Sequence, residues 1–393
     1  MHKLQRCHDI SDLRTVARRR LPRAIFDFLD GGAEDEVSLQ GNRTGFTQYD
    51  LIPEVLTDVS DVNMTTTVMG QTMPLPLILA PTGLSRLFHH QGERAVAIAA
   101  ARAGLTYSLS SGSSVSIEEI GALTEGPKWF QIYVWKDRTV VKEFIARARE
   151  ANYHALCLTV DVQVYGNRQR DLYNRMTTPI RLSPRLAFDL GSHPRWSFNL
   201  ITRGQPQLAN VKDKMGENSD DLNSQASYIN RQFDQSVNWE DAAWIIKEWG
   251  GPFAIKGILS PADALRAIDI GASGIIVSNH GGRQLDHAAA PMDVLPTIVD
   301  AVQGRADIIV DGGIRRGTDI MKALALGAKA CMTGRPYLYG LAAGGEPGVS
   351  RAIDIFSSEI KRDMSLLGVR QTADIGPRHL RRKYDIAGYP SNN

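Results

Sequence analysis

The sequence predicts an α/β chain folded as a TIM (β/α)8 barrel, with an N-terminal helical segment and a long insertion after strand 4. Three observations carry this. Short apolar runs recur eight times after Pro74. Each run is followed by a polar or glycine-bearing turn. Helix-like stretches separate most of the runs, the pattern of βαβ units in a parallel sheet, and eight such units suit a closed barrel better than an open sheet.

Taken in order, the N-terminal stretch "SDLRTVARRRLPRAIFDFLDGGAEDE" reads as helical, with Ser11 as its expected cap and Leu13, Val16 and Ala17 on one face. Pro22 restarts the helix and Gly31-Gly32 end it. Strands are expected at 74–80, 105–110, 129–133, 155–160, 252–257, 274–279, 307–312 and 330–334. Helices are expected at 92–104, 137–151, 260–271 and 317–328. Much of residues 165–235 shows no clear period, and "GQPQLANVKDKMGENSDDLNSQ" reads as a polar excursion. So long a break points to a lid or a binding segment.

Bulk properties narrow the function classes. The chain has 393 residues, 43% hydrophobic and 22% charged, with a net charge of +2. No nucleic-acid-reading motif is present, so no nucleic-acid partner is expected. Three scattered cysteines, Cys7, Cys157 and Cys331, suggest neither a disulfide framework nor a metal site and suit a reducing cytoplasm. The first residues carry charges throughout, so no signal peptide is expected. No apolar run is long enough to span a membrane as a helix.

In such a barrel the active site lies at the C-terminal strand ends. Those ends carry Pro81-Thr82-Gly83, Ser110-Ser111, Gln131 and Tyr133, Thr159 and Asp161, Lys256, Ser278-Asn279-His280, Asp311-Gly312-Gly313 and Gly334-Arg335. "VDGGIRRG" and "MTGRPYLYG" put bare glycine amides and arginines after strands 7 and 8, where barrels commonly hold phosphate. The bland alternative is a pair of tight turns with solvated arginines. Lys256, late in an apolar run, needs an anionic partner, and a structural ion pair would serve as well as a catalytic one. Asp161 either orients a base or caps a turn. His280 is followed by two glycines and Arg283, and an imidazole beside an anion-binding cation suits proton removal from an anionic substrate.

These stretches, "SNHGGRQLD", "LTVDVQVYGNRQRDLYNR", "WFQIYV", "APTG", "VDGGIRRGTDIMKALALGA" and "TGRPYLYGLAAGGEPGV", together resemble the FMN-dependent L-2-hydroxy-acid oxidase/dehydrogenase family over residues 8 to 375. Within it, "HPRWSFNL", "GQPQLAN" and "SVNWEDAAWI" resemble the mandelate and bacterial L-lactate dehydrogenases. The resemblance implies one FMN-binding barrel domain over 1–393, with 165–235 as a lid or membrane-contact segment within it. It implies oxidation of an L-2-hydroxy acid to a 2-keto acid, with electrons leaving FMN for quinone or another carrier. An O2-dependent oxidase and a non-catalytic flavin-binding barrel stay open as alternatives.

By the same resemblance, His280 is the general base and Asp161 the carboxylate that holds it. Arg168 and Arg283 grip the substrate carboxylate, and Tyr133 approaches the hydroxyl or keto oxygen. Lys256 is the cation beside the flavin. Pro81, Thr82, Gly83, Ser110, Gln131 and Thr159 hold the ring, and Ser278 faces it. Asp311, Gly313, Arg315, Gly334 and Arg335 form the ribityl-phosphate site.

Three positions bear on substrate choice. Phe28 stands where many members carry a tyrosine, Gly112 where one branch carries a tryptophan, and Tyr165 where an aliphatic residue is common. They suggest an enlarged pocket for mandelate-like acids. Gly83 replaces an alanine usual in the oxidases and favours a dehydrogenase. Arg181, Arg185, Arg195, Arg203, Lys212 and Lys214, with apolar residues between them, make residues 180–215 a candidate contact for an anionic membrane surface. The expected location is cytoplasmic, with peripheral attachment on the inner face of the cytoplasmic membrane, and the expected assembly a homo-tetramer.

Overall fold

The structure, a computed structural model, describes residues 2–174, 184–214, 228 and 231–383. Eight parallel strands close into a barrel: β1 (Leu77–Leu79), β2 (Tyr107–Ser110), β3 (Lys128–Ile132), β4 (Ala155–Thr159), β5 (Phe253–Ile258), β6 (Gly274–Val277), β7 (Asp307–Asp311) and β8 (Ala330–Thr333). Sequential strands are neighbours throughout, and β8 pairs with β1 to complete the ring. Nearly every strand residue is buried, which explains the continuous apolar runs: helices cover the outside and side chains fill the inside.

The expected elements are present, with their ends within three residues of those expected. The first long helix, Ile10–Arg20, differs in its cap. Asp9, not Ser11, accepts from the Asp12 amide, while Ser11 lies inside the first turn. Arg23–Asp30 follows, started by Pro22 and stopped at Gly31. Outside the barrel, Thr66–Val68 and Gln71–Met73 form a hairpin, and Tyr49–Leu51 pairs with Leu380–Arg382.

The insertion overturns the reading of it as aperiodic. Its described part contains helices Gln169–Tyr173, Pro184–Ser192 and Pro194–Arg203. The supposed polar excursion also begins docked. Leu208 and Val211 are buried, and Asn210 accepts from the Ile117 amide while donating to Ser113 Oγ. Residues 175–183, with Arg181, and most of 215–230 lie outside the described residues.

Candidate active site

The strand ends open into a cavity of about 660 Å³. Its wall includes most of the residues singled out from the sequence: Tyr133, Lys256, His280, Arg168, Arg283, Phe28, Gly112, Tyr165, Pro81, Thr82, Gly83, Ser110, Thr159, Asp311, Gly313, Arg315, Gly334 and Arg335. Three others, Asp161, Gln131 and Ser278, stand behind it.

His280 follows β6 in the left-handed backbone region at φ 57°, and Gly281 and Gly282 continue it at 63° and 71°. This turn aims the imidazole back across the barrel mouth. The glycines are there for close approach as much as for an uncrowded histidine. A Cβ at Gly282 would strike the Leu39 backbone, and one at Gly281 would lie 2.8 Å from the Arg335 guanidinium. His280 Nδ1 lies 2.8 Å from Asp161 Oδ1. With the carboxylate ionised, Nδ1 carries the proton and Nε2 is the free basic nitrogen. Burial pushes the imidazole below its ordinary value, and Asp161 only partly offsets this. Burial also pushes Asp161 upward, but the neighbouring His280 and Lys256 outweigh it and hold the carboxyl below its usual range. Gly257, at φ 109°, makes room: a Cβ there would sit 2.8 Å from Asp161.

Lys256 is buried beside a register shift in β5 and lies 2.8 Å from Asp311 Oδ2. Burial lowers its pKa, yet the charge of Asp311, its first counter-influence, raises it overall, so the ammonium stays charged. Ser278 does not face the cavity. Its hydroxyl accepts from Lys256 Nζ and the His280 amide and donates to Asp311, so it ties β5, β6 and β7 together one layer below the wall. Gln131 is likewise recessed: its carbonyl oxygen accepts from Ser110 Oγ, and its Nε2 is buried without a partner among the described residues.

The four arginines share one property. Among the described residues, Arg168, Arg283, Arg315 and Arg335 form no salt bridge. Arg283 donates to the carbonyls of Phe28 and Gly31, and Arg335 to those of Leu29, Gly31 and Gly281. The helix end Arg23–Asp30 thus positions both. Asp30 anchors that end through a paired contact with Arg14 at 2.7 and 2.6 Å and a hydrogen bond from Tyr339. Burial, then the charges of Arg168 and Arg335, drive Arg283 well below its ordinary value. A guanidinium does not deprotonate at working pH, so Arg283 stays a cation with no carboxylate partner among the described residues.

Aromatic rings back the two arginines nearest His280. The Arg283 guanidinium lies 5.3 Å from the Phe28 ring centre and that of Arg168 5.9 Å from Tyr165. Phe28 lacks a phenol but serves as a platform. Sequence reasoning missed Phe233, whose ring sits edge-on to both Tyr133 and Tyr165, and Phe88, stacked on Phe28. Both line the cavity. No local signal marks them, because each acts through residues distant in sequence.

The far end fits a phosphate. Helix Arg335–Gly344 starts at the mouth of β8 without a side-chain cap, leaving its first turn to the cavity beside Arg335 and Arg315. Gly313 has to be glycine, since a Cβ there would run into the Asn42 carbonyl. Arg316, by contrast, turns outward to Asp9 and Glu359. A phosphate end, a buried unpartnered amide and a fixed ammonium form a donor set that suits FMN.

Residues 17–382 match the family of FMN-dependent dehydrogenases. The chain belongs to that family. FMN is therefore its cofactor, and the chain is an enzyme. It is 40% identical over 379 residues to (S)-mandelate dehydrogenase of Pseudomonas putida, covering 96% of this chain and 95% of that protein. It is 41% identical over 379 residues to L-lactate dehydrogenase of Caulobacter vibrioides, covering 96% and 98%. The crystal structure of monotopic membrane protein (S)-mandelate dehydrogenase superimposes with a TM-score of 0.93 at 40% identity, covering 96% of this chain and all of that one. A mandelate oxidase structure gives 0.80 at 37%. In this family member no helix among the described residues is long and apolar enough to cross a membrane.

Proposed function

We propose that this enzyme oxidises an L-2-hydroxy acid with an aromatic or other bulky side chain to the 2-keto acid. The carrying observation is the imidazole of His280, held by Asp161 at 2.8 Å, beside the Arg168 and Arg283 guanidiniums, neither of which has a carboxylate partner among the described residues. Arg168 and Arg283 would hold the substrate carboxylate, and that places the neighbouring Cα–OH against His280. Oxidation removes two electrons and two protons. His280 Nε2 takes one proton, and Asp161 stabilises the imidazolium that results. Tyr133 keeps its proton, since burial raises its pKa, and serves as a donor to the substrate oxygen. Lys256 stays charged through Asp311 and supplies a fixed positive field. FMN, when bound, would supply the acceptor for the electron pair and the second proton. Arg315, Arg335, Gly313 and Gly334 would hold its phosphate, and Pro81, Thr82, Gly83, Ser110 and Thr159 its ring.

The aromatic walls support the side-chain preference. Phe28, Phe88, Tyr133, Tyr165 and Phe233 surround the cavity, and Gly112 leaves its near side open.

The acceptor is a quinone or another carrier at a membrane surface. Helices Pro184–Ser192 and Pro194–Arg203 support this, for they expose Phe188 by 80%, Phe198 by 66% and Ile201 by 81%. Single exposed apolar residues are ordinary, but large ones clustered on adjacent helices mark a contact surface. Not every basic residue of the segment is available: Lys214 pairs with Glu143 at 2.7 Å. Turnover with an artificial two-electron acceptor, with the keto acid quantified as product, tests the reaction. Failure to form keto acid from any of L-lactate, (S)-mandelate or glycolate would reject it.

A further inference from the structure

A second cavity, of about 810 Å³, meets the first at Phe88, which lines both. Three parts of the chain enclose it: helix Ile10–Arg20, the turn at 86–90 and helix Pro194–Arg203. The indole of Trp196 fixes the last against the second by donating to the Leu87 carbonyl at 2.8 Å. Six arginines and three histidines line this space, against one acidic residue, Asp12.

Among the described residues its arginines form no salt bridge, while His193 lies 3.6 Å from Asp189. Asp12 is already engaged by the His8 amide. Arg86 spends one nitrogen on the Arg203 carbonyl, while its Nε is buried without a partner, as is Nδ1 of His90. An unpartnered buried donor costs about 1–3 kcal/mol, so the Arg86 Nε–H in this basic cavity points to a missing acceptor. The surrounding field has the same sign. Burial first, then His90, Arg20 and Arg203, push His89 down to about 4. The proton is refused where positive charge is already in excess.

We infer that this cavity binds a phosphate-bearing anion, separately from the FMN phosphate. Phosphate fits better than a lone carboxylate, because arginines arrive from three sides and the space far exceeds one carboxyl group. Leu21, Phe88 and Leu200 line the same cavity, leaving apolar room beside the anion. Phe198 and Ile201 project outward from the helix that forms its wall. The phosphate is therefore either a lipid headgroup or that of a soluble phosphate ester. The site does not depend on the oxidation proposed above.

The test uses holoenzyme, so that FMN fills its own phosphate site, and inorganic phosphate as calorimetric probe. Saturable binding is expected, weakened at least about tenfold in Arg20→Gln/Arg203→Gln by loss of two charge-assisted contacts. Binding should be unchanged in Arg168→Met, which removes a cation from the other cavity. Arg195→Gln, at an exposed position, should weaken binding in the same direction and covers the case of a double variant that does not fold. Absence of saturable binding, or a loss seen in Arg168→Met alone, overturns the inference. A second arm separates the two sources. Vesicles of phosphatidylcholine with 30% phosphatidylglycerol (about that fraction, to give an anionic surface) are sedimented with the enzyme. Release by inorganic phosphate assigns the site to a headgroup. Phosphate binding without release assigns it to a soluble ester. Vesicle binding that is equal in wild type and Arg20→Gln/Arg203→Gln, with no phosphate binding in solution, overturns the site.

Discussion

His280 Nδ1 and Asp161 Oδ1 lie 2.8 Å apart although 119 residues separate them in sequence. Their contact decides which imidazole nitrogen is basic and so where a substrate proton can go. Replacing His280 by Gln keeps a polar side chain but removes the base. The expected loss in kcat is about 10²–10⁴-fold, the usual contribution of a general base, with FMN content unchanged. Asp161→Asn should also lose activity, because an amide does not charge-balance the imidazolium.

The pH dependence follows from the same pair. The imidazole must be neutral to accept a proton, and burial lowers its pKa. Activity (kcat/KM) should therefore rise with pH through an ionisation below the ordinary imidazole value of about 6.5, then level off. An ionisation above that value would contradict the assigned environment. Steady-state profiles for wild type and for Asp161→Asn measure it.

The two arginines next to His280 are backed by Tyr165 and Phe28 and have no carboxylate partner among the described residues. Arg168→Met should cost about 1.5–3 kcal/mol in kcat/KM, the worth of a hydrogen bond to a charged group, which is roughly ten- to a hundredfold. The same variant should bind FMN as wild type does. Equal losses of cofactor and activity would move Arg168 to a structural role.

Pocket size sets the order of substrates. A Cβ at Gly112 would meet only Ser110 Oγ, at 3.7 Å, so the space beside it is open. (S)-Mandelate should have a higher kcat/KM than glycolate, and Gly112→Trp should reverse the order. Glycolate as the best wild-type substrate would reject the enlarged pocket.

Asp30 contributes to stability as well as to the site. Burial raises its carboxyl, but Arg14 and Tyr339 overcome this and bring it down to about 2. A lowered carboxyl stabilises the fold above its unfolded-state value, and that stability is lost as pH falls through the folded value. Asp30→Asn should thus destabilise by about 1–2 kcal/mol at neutral pH, discounted because Arg14 is partly exposed. The difference from wild type should vanish as pH approaches 2. Urea unfolding at several pH values reads it directly.

Much of the barrel was legible because its strands are buried on both faces and so appear as continuous apolar runs such as "GIIV" and "DIIV". The phosphate end was legible because glycine and arginine alternate at two neighbouring strand ends. The layer beneath the wall was not. Ser278 looks like any strand-end serine until Lys256 and Asp311, 22 and 33 residues away, close on its hydroxyl. Phe233 lies in a stretch with no period and gains meaning only from Tyr133 and Tyr165. Asn210, inside a run that reads as solvated, is buried because its amide completes the backbone near Ile117, 93 residues away. The basic cavity joins Arg20 to Arg203, and no local pattern unites them. Periodicity reports burial along one element; these contacts depend on how elements meet.

The central claim is that His280, Arg168 and Arg283 act on a 2-hydroxy acid in front of FMN. Anaerobic mixing of the holoenzyme with (S)-mandelate, followed by flavin absorbance in stopped flow, tests it most directly. The expected result is rapid bleaching that is saturable in mandelate and slowed by at least about 10²-fold in His280→Gln. Unchanged yellow absorbance with both (S)-mandelate and L-lactate, in enzyme that has kept its FMN, would contradict it.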